Sequence, residues 1–226
     1  MPINYWLFAG GVLLLTFFIG YTTFATAQLL QSWRPEQNLL LMPLENLVRL
    51  GMIGVCVGLG WLSGLSRAQL GWQAPQPLRQ LLWGIILGLA IGLFFFLTTD
   101  WLIRLTGQRF YSSMVIELIV PTTQRELWLV LLAMLPMVLL EELLFRSLLL
   151  GGLSVLIPAP ALLIILSVLF GLLHSPQGVW GMIGAGLAGI FFGVLFLWVG
   201  SLLLPVAAHY VTNALQIIQA KRKFAP

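Results

Sequence analysis

Long apolar runs fill most of the chain, and polar residues collect between them. Seven runs approach or exceed the roughly 20 helical residues that cross the hydrocarbon core of a bilayer. They cover residues 5–27, 44–64, 81–98, 127–150, 159–174, 178–199 and 201–219, of which the fifth and seventh are short. The runs are continuously apolar rather than alternating, which excludes a β-barrel. The pattern predicts an all-α, polytopic transmembrane helical bundle of about seven spans.

Composition agrees with a multi-pass integral membrane protein. The chain has 226 residues, of which 60% are hydrophobic and 8% charged, and its mean hydropathy is +1.01. Residues 25–27 form an A-x-A-like site, but residues 1–5 contain no Lys or Arg, so we expect an uncleaved first helix rather than a signal peptide. We expect the bacterial plasma membrane as the location, with an internal membrane such as the thylakoid as the alternative.

The charged residues report topology and not a nucleic-acid partner. The net charge is +4, and the basic residues are scattered around the ends of the apolar runs. The basic residues 221–223 follow the last run and predict a cytoplasmic C-terminus. Counting back through seven spans places four further residues on that side, Arg34, Arg104, Arg109 and Arg125. Arg67 and Arg79 would then lie on the opposite side.

Polar residues change their position halfway along the chain. In the first three runs they lie in the linkers, whereas from residue 127 onward they enter the runs themselves. We therefore expect residues 1–126 to form N-terminal helices and linkers, and residues 127–226 to form a functional helical core in one integrated membrane domain. The sixth run carries a row of small residues that predicts close helix packing, namely Gly181, Ala185, Gly189 and Gly193.

Two adjacent acids lie in the fourth run, where a charged side chain is unfavourable unless other polar groups surround it. An ionised carboxylate at bilayer depth costs at least about 2.5 kcal/mol, so Glu141 and Glu142 must face protein or a polar cavity within the membrane. Glu142 and Arg146 are spaced i, i+4 with the acid first, which predicts an ion pair. At about 100° per residue, Glu141 faces elsewhere and should do different work. The alternative is a buried ion-pair cluster that only orients helices.

The two histidines of the chain, His174 and His209, lie in the same half as the acid pair. Asn213 stands one helical turn after His209, so both side chains can donate toward one acceptor. A carboxylate base, an imidazole and neutral donors are the groups that water attack on a peptide carbonyl requires. If these helices meet, the sequence predicts a hydrolytic site without a nucleophilic Ser or Cys.

Three motifs follow one another within these runs. They are EExxxR at Glu141, Glu142 and Arg146, FxxxH at Phe170 and His174, and HxxxN at His209 and Asn213. Over roughly residues 127–219 the chain resembles the CPBP family of intramembrane glutamic endopeptidases, which includes the type II CAAX prenyl proteases and bacteriocin-processing or immunity proteins. The resemblance implies a helical bundle around a hydrophilic cavity.

The resemblance also implies roles for the motif residues. It makes Glu141 the general base for water and His174 its partner, with His209 and Asn213 as oxyanion donors. The supporting residues would be Glu142, Arg146 and Phe170. The implied substrate is a membrane-embedded or membrane-associated peptide or protein, and no metal or cofactor is implied. Bacterial members of the family differ in substrate, so CAAX cleavage does not transfer automatically.

Three other readings compete with this one. A zinc-dependent membrane protease could use two histidines and a glutamate, but the chain has no HExxH motif, and its lone Cys56 cannot form a CxxC site. A proton-coupled transporter also uses intramembrane acids and histidines, but no inverted repeat is visible. A non-proteolytic scaffold or assembly factor of the same family would keep these residues as a structural polar core.

Overall fold

The computed structural model describes residues 1–107 and 109–224, and every regular element in this part of the chain is helical. The helices are α1 (Ile3–Ser32), α2 (Pro43–Leu62), α3 (Pro77–Thr106), α4 (Met114–Ile119), α5 (Gln124–Glu142), α6 (Ala159–Leu173), α7 (Gly178–Val199) and α8 (Leu203–Phe224). Helix α5 continues as a π-helix over Leu143–Gly151, and short 3₁₀ turns lie at Leu39–Leu41 and Ser175–Gln177.

Each of the seven apolar runs is helical, which confirms the predicted all-α membrane bundle. Five helices of the described residues are long and apolar enough to cross a membrane: α1, α2, α3, α5 with its π-helical continuation, and α7. Helix α6 is apolar but has only 15 residues. Helix α8 has 22 residues, and polar side chains including those of His209 and Asn213 interrupt its apolar character. These two helices carry most of the remaining site residues.

Glycines bring two helix pairs into close contact. A Cβ added at Gly88 of α3 would lie 2.5 Å from the backbone oxygen of Ala208 in α8. A Cβ added at Gly171 of α6 would lie 2.6 Å from the backbone oxygen of Met182 in α7. The predicted row of small residues faces α6 in part, because Gly189 lies against Ser167. These contacts fix α7 and α8, which supply the aromatic and imidazole groups of the site.

Side chains from distant parts of the sequence contact the π-helical segment after Glu142. All nine of its residues are buried. The Trp72 indole donates to the Ser147 hydroxyl at 2.9 Å, and that hydroxyl donates to the Leu70 carbonyl at 2.7 Å. The Tyr5 hydroxyl donates to the Gly152 carbonyl at 2.9 Å. The span predicted over residues 127–150 is therefore helical throughout, with a change from α-helical to π-helical geometry after Glu142.

Polar contacts hold several of the eleven basic residues beside acidic or amide side chains. Lys223 lies 3.3 Å from Asp100, and Lys221 donates to Gln124 at 3.4 Å. Arg34 pairs with Glu117 in α4 at 3.3 Å, and Ser113 also donates to that carboxylate. These contacts hold the pKa of Glu117 below its usual value, the Ser113 hydrogen bond first and Arg34 second. The predicted division of the chain at residues 126 and 127 stays a prediction.

Candidate intramembrane site

The end of α5 and the first half of α8 meet through three ionisable side chains. The Nδ1 atom of His209 lies 2.7 Å from Oε1 of Glu142. On the other side of the ring, Nε2 lies 3.7 Å from Oε2 of Glu141. Glu142 and Glu141 therefore face opposite nitrogens of the His209 ring. Their different directions follow from the rotation of about 100° between successive helical residues.

Arg146 completes the buried side of this group. Its Nη1 atom lies 3.0 Å from Oε1 of Glu142, which confirms the ion pair predicted from the i, i+4 spacing. Its Nη2 atom donates to the Gly189 carbonyl of α7 at 3.3 Å. The guanidinium also lies 4.9 Å from the ring centre of Phe170 and 5.6 Å from that of Phe192. Arg146 thus links α5, α6 and α7 at the level of Glu142.

Aromatic packing fixes the plane of the His209 ring. Phe192 stacks on it, with ring centres 4.6 Å apart and planes 20° apart, and Phe170 meets it edge-on at 6.2 Å. Its Nδ1 atom faces Glu142, and a carboxylate that is paired with Arg146 only accepts hydrogen bonds. The proton of a neutral His209 therefore resides on Nδ1. Its Nε2 atom presents a lone pair toward Glu141.

His174 stands just beyond the end of α6 and is half-buried. Its Nδ1 atom lies 2.7 Å from the Phe170 carbonyl oxygen, which can only accept, so Nδ1 donates and Nε2 of the neutral ring is a free acceptor. Its ring packs on Phe170, with ring centres 4.6 Å apart. Within the described residues no nitrogen of His174 lies within 4.0 Å of a carboxylate oxygen of Glu141 or Glu142. The pairing with Glu141 that the resemblance implies stays a prediction.

Asn213 lies one turn after His209 on α8 and is half-buried. Its side chain makes no hydrogen bond with another described residue, so its amide is available to a ligand. The next residue back, Thr212, is instead used for packing, because its hydroxyl donates to the Ala208 carbonyl at 2.8 Å and also contacts the Gly88 carbonyl of α3.

The two adjacent acids differ in solvent exposure. The Glu142 side chain is completely buried, whereas 26% of the Glu141 side chain is exposed. A void of about 10 Å³ lies beside Arg146 and is lined by Ser167, Phe170 and Gly189. That volume approaches the size of one water molecule. The larger polar cavity expected from the sequence stays a prediction.

The zinc-protease alternative requires a set of metal-ligating side chains, and the described part of the chain contains none. No group of three His, Cys, Asp or Glu side chains there is arranged to hold a metal ion. Residues 141, 142 and 209 come closest in composition, but Glu142 and Glu141 lie on opposite sides of the His209 ring. The expectation of a metal-free reaction stays a prediction.

Comparison with protein families tests the resemblance directly. Residues 123–215, less than half of the chain, match a family model described as type II CAAX prenyl endopeptidase Rce1-like. This segment belongs to the CAAX protease-like family. The match covers all seven motif residues and nearly coincides with the residues 127–219 that the motifs indicated. The comparisons with curated proteins and with solved structures gave no match.

Sequence reasoning missed three neighbours of the CAAX protease-like site. Gly189 and Phe192 were not connected with it, because nothing in their spacing shows that α7 faces α5. Arg49 is the seventh residue of α2, its side chain is only 13% exposed, and it pairs with Glu45 at 3.8 Å. It is also close enough to Glu141 for a weaker electrostatic interaction. In this case a signal existed, because an arginine inside an apolar run is itself a candidate site residue.

Proposed function

We propose that this CAAX protease-like protein is an intramembrane endopeptidase. It hydrolyses peptide bonds of membrane-embedded, membrane-associated or lipidated peptides with water activated by glutamate and histidine. The observation that carries the proposal is the contrast between the two acids. Glu142 is fully buried and occupied by Arg146 and His209, while Glu141 is partly exposed and 3.7 Å from an imidazole nitrogen. A carboxylate in that position can take a proton from water.

The remaining residues supply the other groups that the reaction needs. Glu141 removes the proton as the water oxygen attacks the carbonyl carbon. The free Nε2 atom of His174 can accept a hydrogen bond from that water and orient it. Asn213 donates to the oxyanion, together with His209 once Nε2 carries a proton. No metal ion or organic cofactor is required by this assignment.

The setting of the site supports a membrane-bound substrate. The site residues lie on helices α5, α6 and α8 of a membrane bundle, so a substrate reaches them from the bilayer or from its surface. We infer a membrane-bound peptide or protein as the partner, with the bilayer as the surrounding medium and no nucleic acid. The bacterial plasma membrane is the proposed location. The family description supports a prenylated substrate, but a peptide held by another lipid anchor has the same access.

One observation favours a second candidate, a non-proteolytic scaffold. Glu142, Arg146 and His209 are at least 95% buried and form one connected polar cluster. Buried ionic clusters can specify how helices pair without any chemistry. In that case Glu141 would be an accessory member of the cluster, and its exposure would have no consequence.

Trapping of substrates distinguishes the two candidates. Full-length Glu141→Gln protein in native membranes should retain bound peptides that the wild-type protein cleaves and releases. Proteins crosslinked to the variant would be identified and then incubated with purified wild-type protein, with strong chelator present in a parallel sample. Specific cleavage in both samples supports the proposal. Retained proteins that the wild-type protein leaves intact would favour the scaffold, and cleavage abolished by chelator and restored by zinc would favour the metalloprotease.

A further inference from the structure

The position of the proton on His209 limits what this residue can do at the start of the reaction. Its Nδ1 atom donates to Glu142 at 2.7 Å, so the neutral ring carries no proton on Nε2. An oxyanion donor needs an N–H, and this nitrogen has only a lone pair. The implied donor role therefore requires that Nε2 first acquires a proton. The nearest acid that can supply one is Glu141, with Oε2 at 3.7 Å.

The geometry points to His209 as the proton carrier of the reaction, passing the proton that Glu141 takes from water to the nitrogen of the leaving amine. This inference rests on the proposed function and deepens it. A distance of 3.7 Å is too long for a hydrogen bond, but a shift of about 1 Å brings the two atoms within range. Catalytic hydrogen bonds are often long before substrate binds.

The steps balance as follows. A proton leaves the water molecule for Glu141 Oε2 while the water oxygen forms a bond to the carbonyl carbon. The Glu141 carboxylic acid then gives this proton to His209 Nε2, which makes the ring an imidazolium and returns Glu141 to its carboxylate form. The carbon–nitrogen bond breaks, and the nitrogen takes the proton from Nε2 and departs as an amine. The second proton of the water stays with the new carboxylic acid, so the enzyme is unchanged.

Three neighbours keep the ring suited to this transfer. Glu142 is a positioning residue, because its hydrogen bond holds the tautomer with Nδ1–H, as a buried aspartate does for the histidine of a Ser-His-Asp triad. Phe192 stacks on the ring and Phe170 contacts its edge. Rotation of the ring by 180° would remove Nδ1 from Glu142, so Nε2 keeps its direction toward Glu141.

A pair of substrates separates a proton carrier from a simple oxyanion donor. One is a peptide cleaved by the wild-type protein, and the other is the same peptide with a thioester at the scissile bond. An amine must be protonated to leave, whereas a thiolate departs without a proton. Both substrates pass through an oxyanion. Loss of a proton carrier should therefore slow the amide more than the thioester, and loss of a group that only donates to the oxyanion should slow both to a similar extent.

We therefore expect His209→Ala to lower kcat for the amide by about 10²- to 10⁴-fold, the usual size of general acid–base catalysis. Thioester cleavage should fall by a smaller factor, because only the oxyanion contact of His209 is lost there. The matched control is Asn213→Ala, which should lower kcat for both substrates by about 10²- to 10³-fold with little change in KM. Glu142→Gln should also slow the amide more than the thioester, and a purely structural role would not change that ratio.

Equal losses on the two substrates in folded His209→Ala protein would overturn the inference. Substantial amide cleavage by His209→Gln, which keeps an N–H donor but cannot carry a proton, would overturn it as well. That variant also replaces His209→Ala in the substrate comparison if the alanine protein does not fold. The proposed function fails separately, if wild-type protein and Glu141→Gln protein cleave the amide at the same rate.

Discussion

At the residue scale, the neighbouring acids Glu141 and Glu142 differ in burial and therefore in role. Glu142 has no exposed surface, and its Oε1 atom contacts both Arg146 and His209. Glu141 has a 26% exposed side chain and contacts one imidazole nitrogen at 3.7 Å. The first carboxylate therefore holds other groups in place, and the second is accessible to reactants. This difference predicts opposite consequences for stability and for activity.

Replacing Glu142 by Ala should strongly destabilise the protein. The change leaves the Arg146 guanidinium buried without its carboxylate, and breaking a buried ion pair costs about 3–5 kcal/mol. Glu141→Ala, one residue away on the same helix, is the matched control, because its carboxylate is partly solvated. Thermal unfolding in detergent should show a much larger drop in Tm for Glu142→Ala. Equal drops for the two variants would contradict the division of roles.

Residue-scale prediction specified an atomic contact within one helix but not between helices. The Glu142–Arg146 pair follows from i, i+4 spacing, and the structure confirms it. The Glu142–His209 contact joins residues 67 positions apart and depends on how α5 and α8 pack. No periodicity in the sequence reports such a contact. His174 lies near the site through Phe170, and its role beside Glu141 stays a prediction.

Contacts between α6 and α7 position the site at the scale of elements. Gly171 of α6 lies so close to α7 that an added Cβ would be 2.6 Å from the Met182 carbonyl oxygen. Helix α7 in turn provides the Gly189 carbonyl for Arg146 and the Phe192 ring for His209. Displacement of α7 should therefore disturb the contacts of both Arg146 and His209.

We expect Gly171→Ala to lower both stability and catalytic rate. Overpacking of a close contact costs about 1–3 kcal/mol, and here the obstacle is backbone. The matched control is Gly54→Ala in α2, where an added Cβ would meet no atom within 4 Å. Tm and amide cleavage should fall for the first variant and stay near wild type for the second. Similar behaviour of the two variants would show that the α6–α7 contact does not position the site.

The helices could be predicted from the sequence, but the shape of one of them could not. Apolar runs of the right length predicted seven of the eight α-helices, all but the short α4. The π-helical turns of Leu143–Gly151 are buried and contact residues distant in sequence, such as Trp72, which donates to the Ser147 hydroxyl. A leucine-rich run is compatible with either helix type. The row of small residues was predicted in part, since Gly189 faces α6 while Gly181 lies against its neighbour Gln177.

At the scale of the whole molecule, charge distribution sets the orientation. The basic C-terminal residues of α8 lie at the same end as Asp100 and Gln124. Basic residues are enriched on cytoplasmic loops. A reporter fused after Pro226 should therefore be cytoplasmic, with a reporter in the linker of residues 66–76 on the opposite face. Accessibility of the two reporters in sealed vesicles measures this, and a protected C-terminal reporter in inside-out vesicles would reverse the orientation.

Composition alone indicates a membrane protein, whereas the proposed peptide hydrolysis depends on the Glu141 carboxylate. The most direct measurement is the kcat of purified Glu141→Gln protein on a peptide that the wild-type protein cleaves. Gln keeps the size of the side chain but cannot accept the water proton, so kcat should fall by about 10²- to 10⁴-fold while Tm stays near that of the wild-type protein. Wild-type cleavage rates in folded Glu141→Gln protein would contradict the account.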